Sequence, residues 1–412
     1  LLLLMFSSIL SYAQIDQRKS LQYFRLPGKL GLNVFETPKT DTVKFEGINV
    51  RVGGDFALQY QGLSHSNTIT GDPLVDLGSN FNLPTANLNF DVQLEDGLRL
   101  HLRTYLSSRH HTEAYVKGGY LQFDKLDFVK EGLLSGLMDI ATIRVGMDQI
   151  NYGDAQFRRS DNAAAIYNPF VGNYIMDAFT TEPFFELTLL PSDWIFVVGL
   201  TNGRLNQSPV KGDDGFVFYS KVGWDKQVDD DLRLRLTGSL YSSNDKGTRD
   251  YIYGGDRAGG RYYSTLATVA NGGSDFDPRF NPRFGYLTAI QLNPFIKFKG
   301  LELFGVIESM SNGDDAVGGS YNQFGIETLY RFGATEQWYL GGRYNNVSGE
   351  NSDTAPTREI SRLNIGGGWF MTNNVLVKLE YMNQEYSGAG FASTRLQDGE
   401  FNGIVLEAVI GF

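Results

Sequence analysis

The chain has 412 residues, a formal net charge of -11, 48 glycines, 12 prolines and no cysteine. That acidic balance argues against a nucleic-acid partner, and the lack of cysteine excludes a disulfide framework. After the first residues no apolar run reaches the roughly 18 residues of a membrane helix, and no composition shift divides the middle, so one large sheet-based domain is the simplest organisation.

Leu1 to Leu10 is almost wholly apolar, and Ser11-Tyr12-Ala13 before Gln14 places small residues at the two positions signal peptidase reads. Residues 1–13 are therefore expected to be a secretory signal peptide, truncated at its start; the alternative is a buried or anchoring helix. Residues 14–46 alternate only in part. They read as an N-terminal extension, either periplasmic or tucked into a lumen, and are too short for the plug of a large energised transporter.

From 47 to 412 apolar and polar residues alternate as strands require. Ile48, Val50, Val52, Phe56, Leu58 and Tyr60 oppose Asn49, Arg51, Asp55 and Gln59; Leu88, Phe90, Val92 and Leu94 oppose Asn89, Asp91 and Gln93. Glu95-Asp96-Gly97 then turns into Leu98, Leu100 and Leu102 set against Arg99, His101 and Arg103, a hairpin. Strands are expected near 47–61, 85–95, 98–107, 113–124, 139–150, 183–190, 194–202, 214–224, 231–242, 285–298, 301–310, 321–332, 338–347, 361–370, 375–386 and 400–412. That makes sixteen, or eighteen if Asp250 to Tyr253 and Arg261 to Val269 add a hairpin. The stretch Lys125 to Met138 is too long for a neat turn and suits a helical turn.

The connections alternate short and long, the organisation of a transmembrane antiparallel β-barrel with short periplasmic turns and long extracellular loops. Trp194, Trp224, Trp338 and Trp369 all fall at the predicted periplasmic rim, the last three on the apolar side of their strands, as an interfacial girdle requires. The fold class is thus all-β, residues 47–412 forming an outer-membrane barrel that contacts outer-membrane lipid.

Sixteen to eighteen strands leave an aqueous channel, whereas eight fill with side chains. The candidate constriction is the loop at 151–182. Its run Ala163 to Val171, with Tyr174, Ile175, Met176, Ala178 and Phe179, is too apolar for a loop bathed in water. Folding inward buries it and leaves Asp154, Arg158, Arg159, Asp161 and Asp177 to line the passage; the alternative is a loop that caps the rim or meets a neighbouring subunit. Inward faces carry Arg99, Arg103, Arg144, Arg233 and Arg235 among other charges of nearly balanced sign. Arg99, Arg103 and Arg144, close together in the wall, would oppose the loop carboxylates and set up a transverse field; ordinary pairing of lumen charges is the equal alternative.

Other chemistry finds little footing. His110-His111 on a strand would point to opposite faces and make a poor metal pair, and Asp275, Asp277, Asp314 and Asp315 read as solvated loop carboxylates rather than a calcium site. No nucleophile can be placed beside a histidine. No catalytic residue, metal or cofactor is expected.

The segments Arg144-Val-Gly-Met-Asp-Gln-Ile-Asn-Tyr-Gly153, Arg158-Arg159-Ser160-Asp161, Gly366-Gly367-Gly368-Trp369 and Val375-Leu-Val-Lys-Leu-Glu-Tyr381 resemble the phosphate-selective porin O/P type family over roughly 140–412. The final Phe401 to Phe412 resembles the closing strand of bacterial outer-membrane barrels. The resemblance implies a homotrimeric outer-membrane channel for small anions. The expectation is a porin in the bacterial outer membrane admitting small hydrophilic solutes or ions; the alternative is an occluded structural or assembly-partner barrel.

Overall fold

In a computed structural model that describes residues 21–40, 43–106, 115–160, 164–203, 216–243, 252–253, 261–270, 272, 280–282 and 284–412, the sheet is one closed antiparallel barrel of sixteen strands. In chain order these are β1 Asn49–Ser66, β2 Asn80–Glu95, β3 Leu98–Leu106, β4 Tyr115–Phe123, β5 Ala141–Gln149, β6 Thr181–Leu189, β7 Trp194–Thr201, β8 Val217–Gln227, β9 Leu232–Ser243, β10 Leu287–Phe298, β11 Leu301–Asn312, β12 Ser320–Phe332, β13 Trp338–Glu350, β14 Arg358–Thr372, β15 Val375–Ser387 and β16 Glu400–Gly411. Each pairs with its chain neighbours, and β1 pairs with β16 from Asp55↔Gly411 to Ser66↔Glu400, leaving no edge strand.

The sixteen segments match the alternation in the sequence, with one systematic difference. Strands β1, β2 and β13 run past the expected ends on the loop side, to Ser66, from Asn80 and to Glu350, because their ladders continue there, through Ser66↔Glu400, Gln61↔Asn80 and Ser320↔Glu350. Among the described residues the extra hairpin is absent: residues 261–270 fold as turns inside the barrel, and their strand-like pairing is limited to the bridges Leu74↔Thr268 and Thr268↔Gly272. The expected helical turn is present as α1, Ser135–Met138. His110, His111, Asp161, Asp275 and Asp277 lie outside the described residues.

The outer face is apolar and open, as Leu236, Ile290, Leu340, Ile365, Leu379 and Ile404 illustrate. Two cross-strand tryptophan pairs mark one rim, Trp194↔Trp224 and Trp338↔Trp369, the latter stacked at 4.7 Å between centroids. That is the rim of short turns, periplasmic by the rule for such barrels. Among the described residues no helix is long and apolar enough to cross a membrane; the crossing is made by strands, whose backbone groups satisfy one another.

The buried apolar core lies inside the cylinder. Val171, Ile175 and Met176 of the β5–β6 connection and Tyr262 and Leu266 of the β9–β10 connection pack against wall residues Tyr219, Tyr241, Tyr321, Met382 and Phe401. Barrels of this girth leave room that water or inserted chain must fill, and here three inserted segments occupy much of it.

Candidate functional site: a strapped lumen

The β5–β6 connection crosses the lumen. Phe170, Val171, Ile175, Met176 and Phe179 are each at most 3% exposed. At about 1.5–3 kcal/mol per large apolar side chain, burial of these five holds the loop inside by about 8–15 kcal/mol as an upper estimate. Its backbone has no ladder partner, so wall side chains supply one. Lys378 Nζ donates to the carbonyls of Ala165, Asn168 and Phe170 at 3.0, 3.2 and 3.1 Å. Arg343 donates to Gly172 O at 2.7 Å and Arg362 to Asn173 O at 2.6 Å. Glu380, Asn345 and Gln323 accept from the amides of Val171, Ile175 and Met176.

The loop's charged residues are fasteners in this geometry. Asp154, with no exposed surface, accepts from Arg235 through both oxygens (2.8 and 2.9 Å), from Lys221 at 2.9 Å and from Thr237 at 2.8 Å. Burial pushes the Asp154 carboxyl up, and Arg235 and Lys221 outweigh it and hold the group below its usual range. Arg158 donates to Glu327 at 2.5 Å, lies 3.5 Å from Glu302 and bonds Asn33 Oδ1. Arg159 grips Asp177 at 2.6 and 3.1 Å and lies 3.8 Å from the Phe179 ring centre. Asp154 and Asp177 of the loop therefore face Lys221, Arg235 and Arg159, while Arg99, Arg103 and Arg144 pair with the wall.

A break in the ladder explains where Asp154 is held. Pro294 has no amide hydrogen, and β10 and β11 pair only on either side of it, at Leu292↔Ile307 and Phe295↔Phe304. Asn293 donates from its side chain to Gly305 O at 3.0 Å and accepts from the Asp154 amide at 2.8 Å. The preceding Gly153, at φ +66°, lies against the Gln291 amide where a Cβ would collide.

The second inserted segment is the N-terminal strap, residues 21–40, with no regular structure beyond the 3₁₀ turn Gly28–Gly31. Gln22 binds the β2–β3 turn through Gly97 N and Asp96. Lys29 N donates to Asn373 O in the β14–β15 turn at 2.6 Å, and its ammonium reaches Thr335 O in the β12–β13 turn. The strap returns past β11, where Asn33 donates to Glu302 at 2.8 Å, and past β8 and β9, where Glu36 meets Lys221 at 3.1 Å and Arg235 at 2.7 Å. Lys39 ends at Asp124, 2.9 Å away. The strap thus passes inside the periplasmic mouth and shares two cations with the loop. Burial raises the Glu36 carboxyl, but Arg235 and Lys221 bring it down to about 2. Of the two placements open for this extension, its residues 21–40 take the lumen. Nothing in its partial alternation marks Glu36 as a partner of Lys221 and Arg235, 185 and 199 positions away.

The third segment enters from the loop side. Tyr262 donates to Glu380 and receives from Asn364 at 3.0 Å, Gln61 brackets Tyr263, and Arg261 sits 3.4 Å from Glu407 and donates to Ser160 O.

Between strap, loop and the β1–β6 wall is a chamber of 260 Å³. It is lined by Arg25, Arg51, Arg99, Arg103 and Arg144, against Glu36, Asp91, Asp148 and Glu186, with His101 among them. Asp91 lies 3.2 Å from Arg99, 3.6 Å from Arg51 and 2.7 Å from His101 Nδ1; Asp148 accepts from Arg103 at 2.9 Å, and Glu186 from Arg144 at 2.5 and 3.0 Å. Arg144 keeps 22% of its side chain exposed, Arg103 13% and Arg99 5%, so a solute in the chamber meets the first two most. Arg233 and Arg235 lie across the lumen instead, both bound to Asp225.

No protein-family model and no curated protein matches the chain. Solved structures do. The trimer form of in-vitro folded OmpT, an outer membrane protein of Vibrio cholerae, superposes with a TM-score of 0.54 at 12% identity over 89% of this chain and all of that one. An anion-selective porin from Comamonas acidovorans matches with 0.52 at 9% identity over 89% and 100%. Salmonella typhi OmpF, solved with daunomycin, matches with 0.51 at 11% identity over 89% and 98%. The chain has the fold of the bacterial outer-membrane porin barrels.

Proposed function

We propose that this chain is a bacterial outer-membrane porin for passive diffusion of small hydrophilic solutes or ions, made with a signal peptide and assembled as a homotrimer, and that it is not an enzyme. The observation that carries the reading is the arginine-lined chamber, a part of the polar lumen that the inserted segments leave unfilled. The aperture is set by the 151–182 loop together with the strap. Asp154, Arg158, Arg159 and Asp177 act as the loop's fasteners, and the surface a solute meets is that of Arg144, Arg103 and Arg51. Five arginines against four carboxylates favour a weak anion preference over a dedicated phosphate filter, which needs unpaired cations in series.

The second reading, an occluded barrel serving as structural or assembly partner, draws on the same lumen: three inserted segments is more chain than a simple channel needs. Purified protein in planar bilayers separates the two. Stable ohmic steps support the porin, and silence at every voltage, for the intact chain and for a variant lacking residues 21–40, supports the partner barrel.

A further inference from the structure

One periplasmic connection breaks the pattern of short turns. Between β4 and β5 the chain inserts residues 124–140, and on them Phe128, Val129, Leu134 and Leu137 stand 42, 64, 56 and 45% exposed. A water-facing turn has no reason to display four large apolar side chains together. Leu134 does so at φ 52°, a conformation that bulky residues avoid. The segment is nonetheless tightly built. The amides of Val129, Leu133, Leu137 and Asp139 donate to carbonyls within it, Gly132 N donates to Asp127, Met138 is buried beneath, and Lys125 is tied to Asp96 at 2.8 Å. Backbone satisfied in this way can enter a region poor in water.

Its apolar side continues a surface already identified. Phe128 stacks on Phe123, centroids 6.2 Å apart, and Phe123 is the last residue of β4, on the outward side opposite the inward Gln122. Leu190 N binds Ile140 O, fixing the insertion beside the β6–β7 turn and Trp194 of the aromatic girdle. Exposed Asp127, Lys130, Glu131 and Asp139 are mixed in sign, so attraction to one lipid charge is not what holds it; buried apolar area is.

We propose that residues 126–138 are an interfacial anchor whose apolar side lies at the headgroup–acyl boundary of the phospholipid leaflet on the periplasmic side, extending the barrel's lipid contact beyond its strands. This stands on the membrane-spanning fold and holds whether or not the lumen conducts.

The cysteine-free chain permits single-site labelling. Val129→Cys and Leu134→Cys, carrying an environment-sensitive fluorophore, are reconstituted in phosphatidylcholine vesicles with or without brominated acyl chains, beside Leu379→Cys on the belt and Glu131→Cys. Emission from positions 129, 134 and 379 is expected to fall roughly twofold or more in brominated lipid, and that from 131 to change little. Labels at 129 and 134 that ignore bromine and yield to aqueous iodide overturn the anchor in favour of an exposed turn. Labels that resist both quenchers and self-quench between copies overturn it in favour of a second copy of the chain. An unquenched label at 379 removes the membrane fold on which it rests.

Discussion

Asn293 shows how one side chain converts a defect into a positioning device. Pro294 leaves Gly305 O without its ladder donor, and Asn293 supplies one while presenting its own oxygen to the Asp154 amide. Asn293→Ala strands both groups in a buried setting at about 1–3 kcal/mol each. The temperature at which the folded band disappears in heat-modified electrophoresis should therefore drop, whereas Asn383→Ala on an exposed hydrogen bond leaves it in place; equal behaviour of the two would remove Asn293 from the loop's support. Arg144, Arg103 and Arg99 form a graded series by exposure, 22, 13 and 5%. In a salt gradient the reversal potential should move most toward cation preference for Arg144→Ala, less for Arg103→Ala and least for Arg99→Ala, because a charge acts on passing ions in proportion to its access to them. A series in the reverse order would place the solute path elsewhere. The inward placement of these arginines was legible in strand alternation alone. Their partners were not: Asp148 and Glu186 are on strands β5 and β6, and only barrel geometry brings them to Arg103 and Arg144.

At the scale of elements, the lumen is organised by what each inserted segment lacks. The apolar content of the β5–β6 connection was readable as a demand for burial, either folded inward or against the rim or a neighbouring subunit. The strap was not readable, because it satisfies its backbone largely through wall groups and contributes few large buried anchors, Leu21 and Phe35, the latter packed 5.4 Å from Phe295 and 5.7 Å from Phe157. Its hold is electrostatic, centred on Glu36. A carboxyl depressed from 4.5 to about 2 stabilises the docked state fully above its free value, and that contribution disappears as pH falls through about 2. Conductance of the intact chain should therefore be steady above pH about 4.5 and rise stepwise on acidification toward 2, as the strap detaches. Glu36→Gln should show the raised conductance already at neutral pH and lose much of this acid response. Identical pH profiles for the two chains would exclude the strap from the aperture.

For the molecule as a whole, closure of the cylinder is the event on which every inserted segment depends, and the seam is where it is tested. Gly54 and Phe412 exchange both backbone hydrogen bonds, at 2.9 and 3.0 Å, and Asn374 donates to Gly411 O at 2.5 Å. Gly54 has no side chain for a reason: a Cβ there would stand 2.5 Å from Asn87 O and 3.2 Å from the Phe412 ring. The alternation of the last twelve residues announced this strand, but its partner, β1, some 350 positions earlier, followed only from the need to leave no edge. Such a pairing has high sequence separation and forms late in folding, after most of the chain is in place. Removing Phe412 deletes one pair of seam bonds and leaves the register from Phe56↔Ile410 to Ser66↔Glu400 intact, so the barrel should still close, with a heat-modification temperature lower by a few degrees at about 1–3 kcal/mol. Gly54→Ala, which keeps the bonds but forces the backbones apart, should slow assembly into detergent or lipid at least as much as it lowers that temperature. Refolding of both variants at the parental rate would show that closure of this seam is not what limits formation of the barrel.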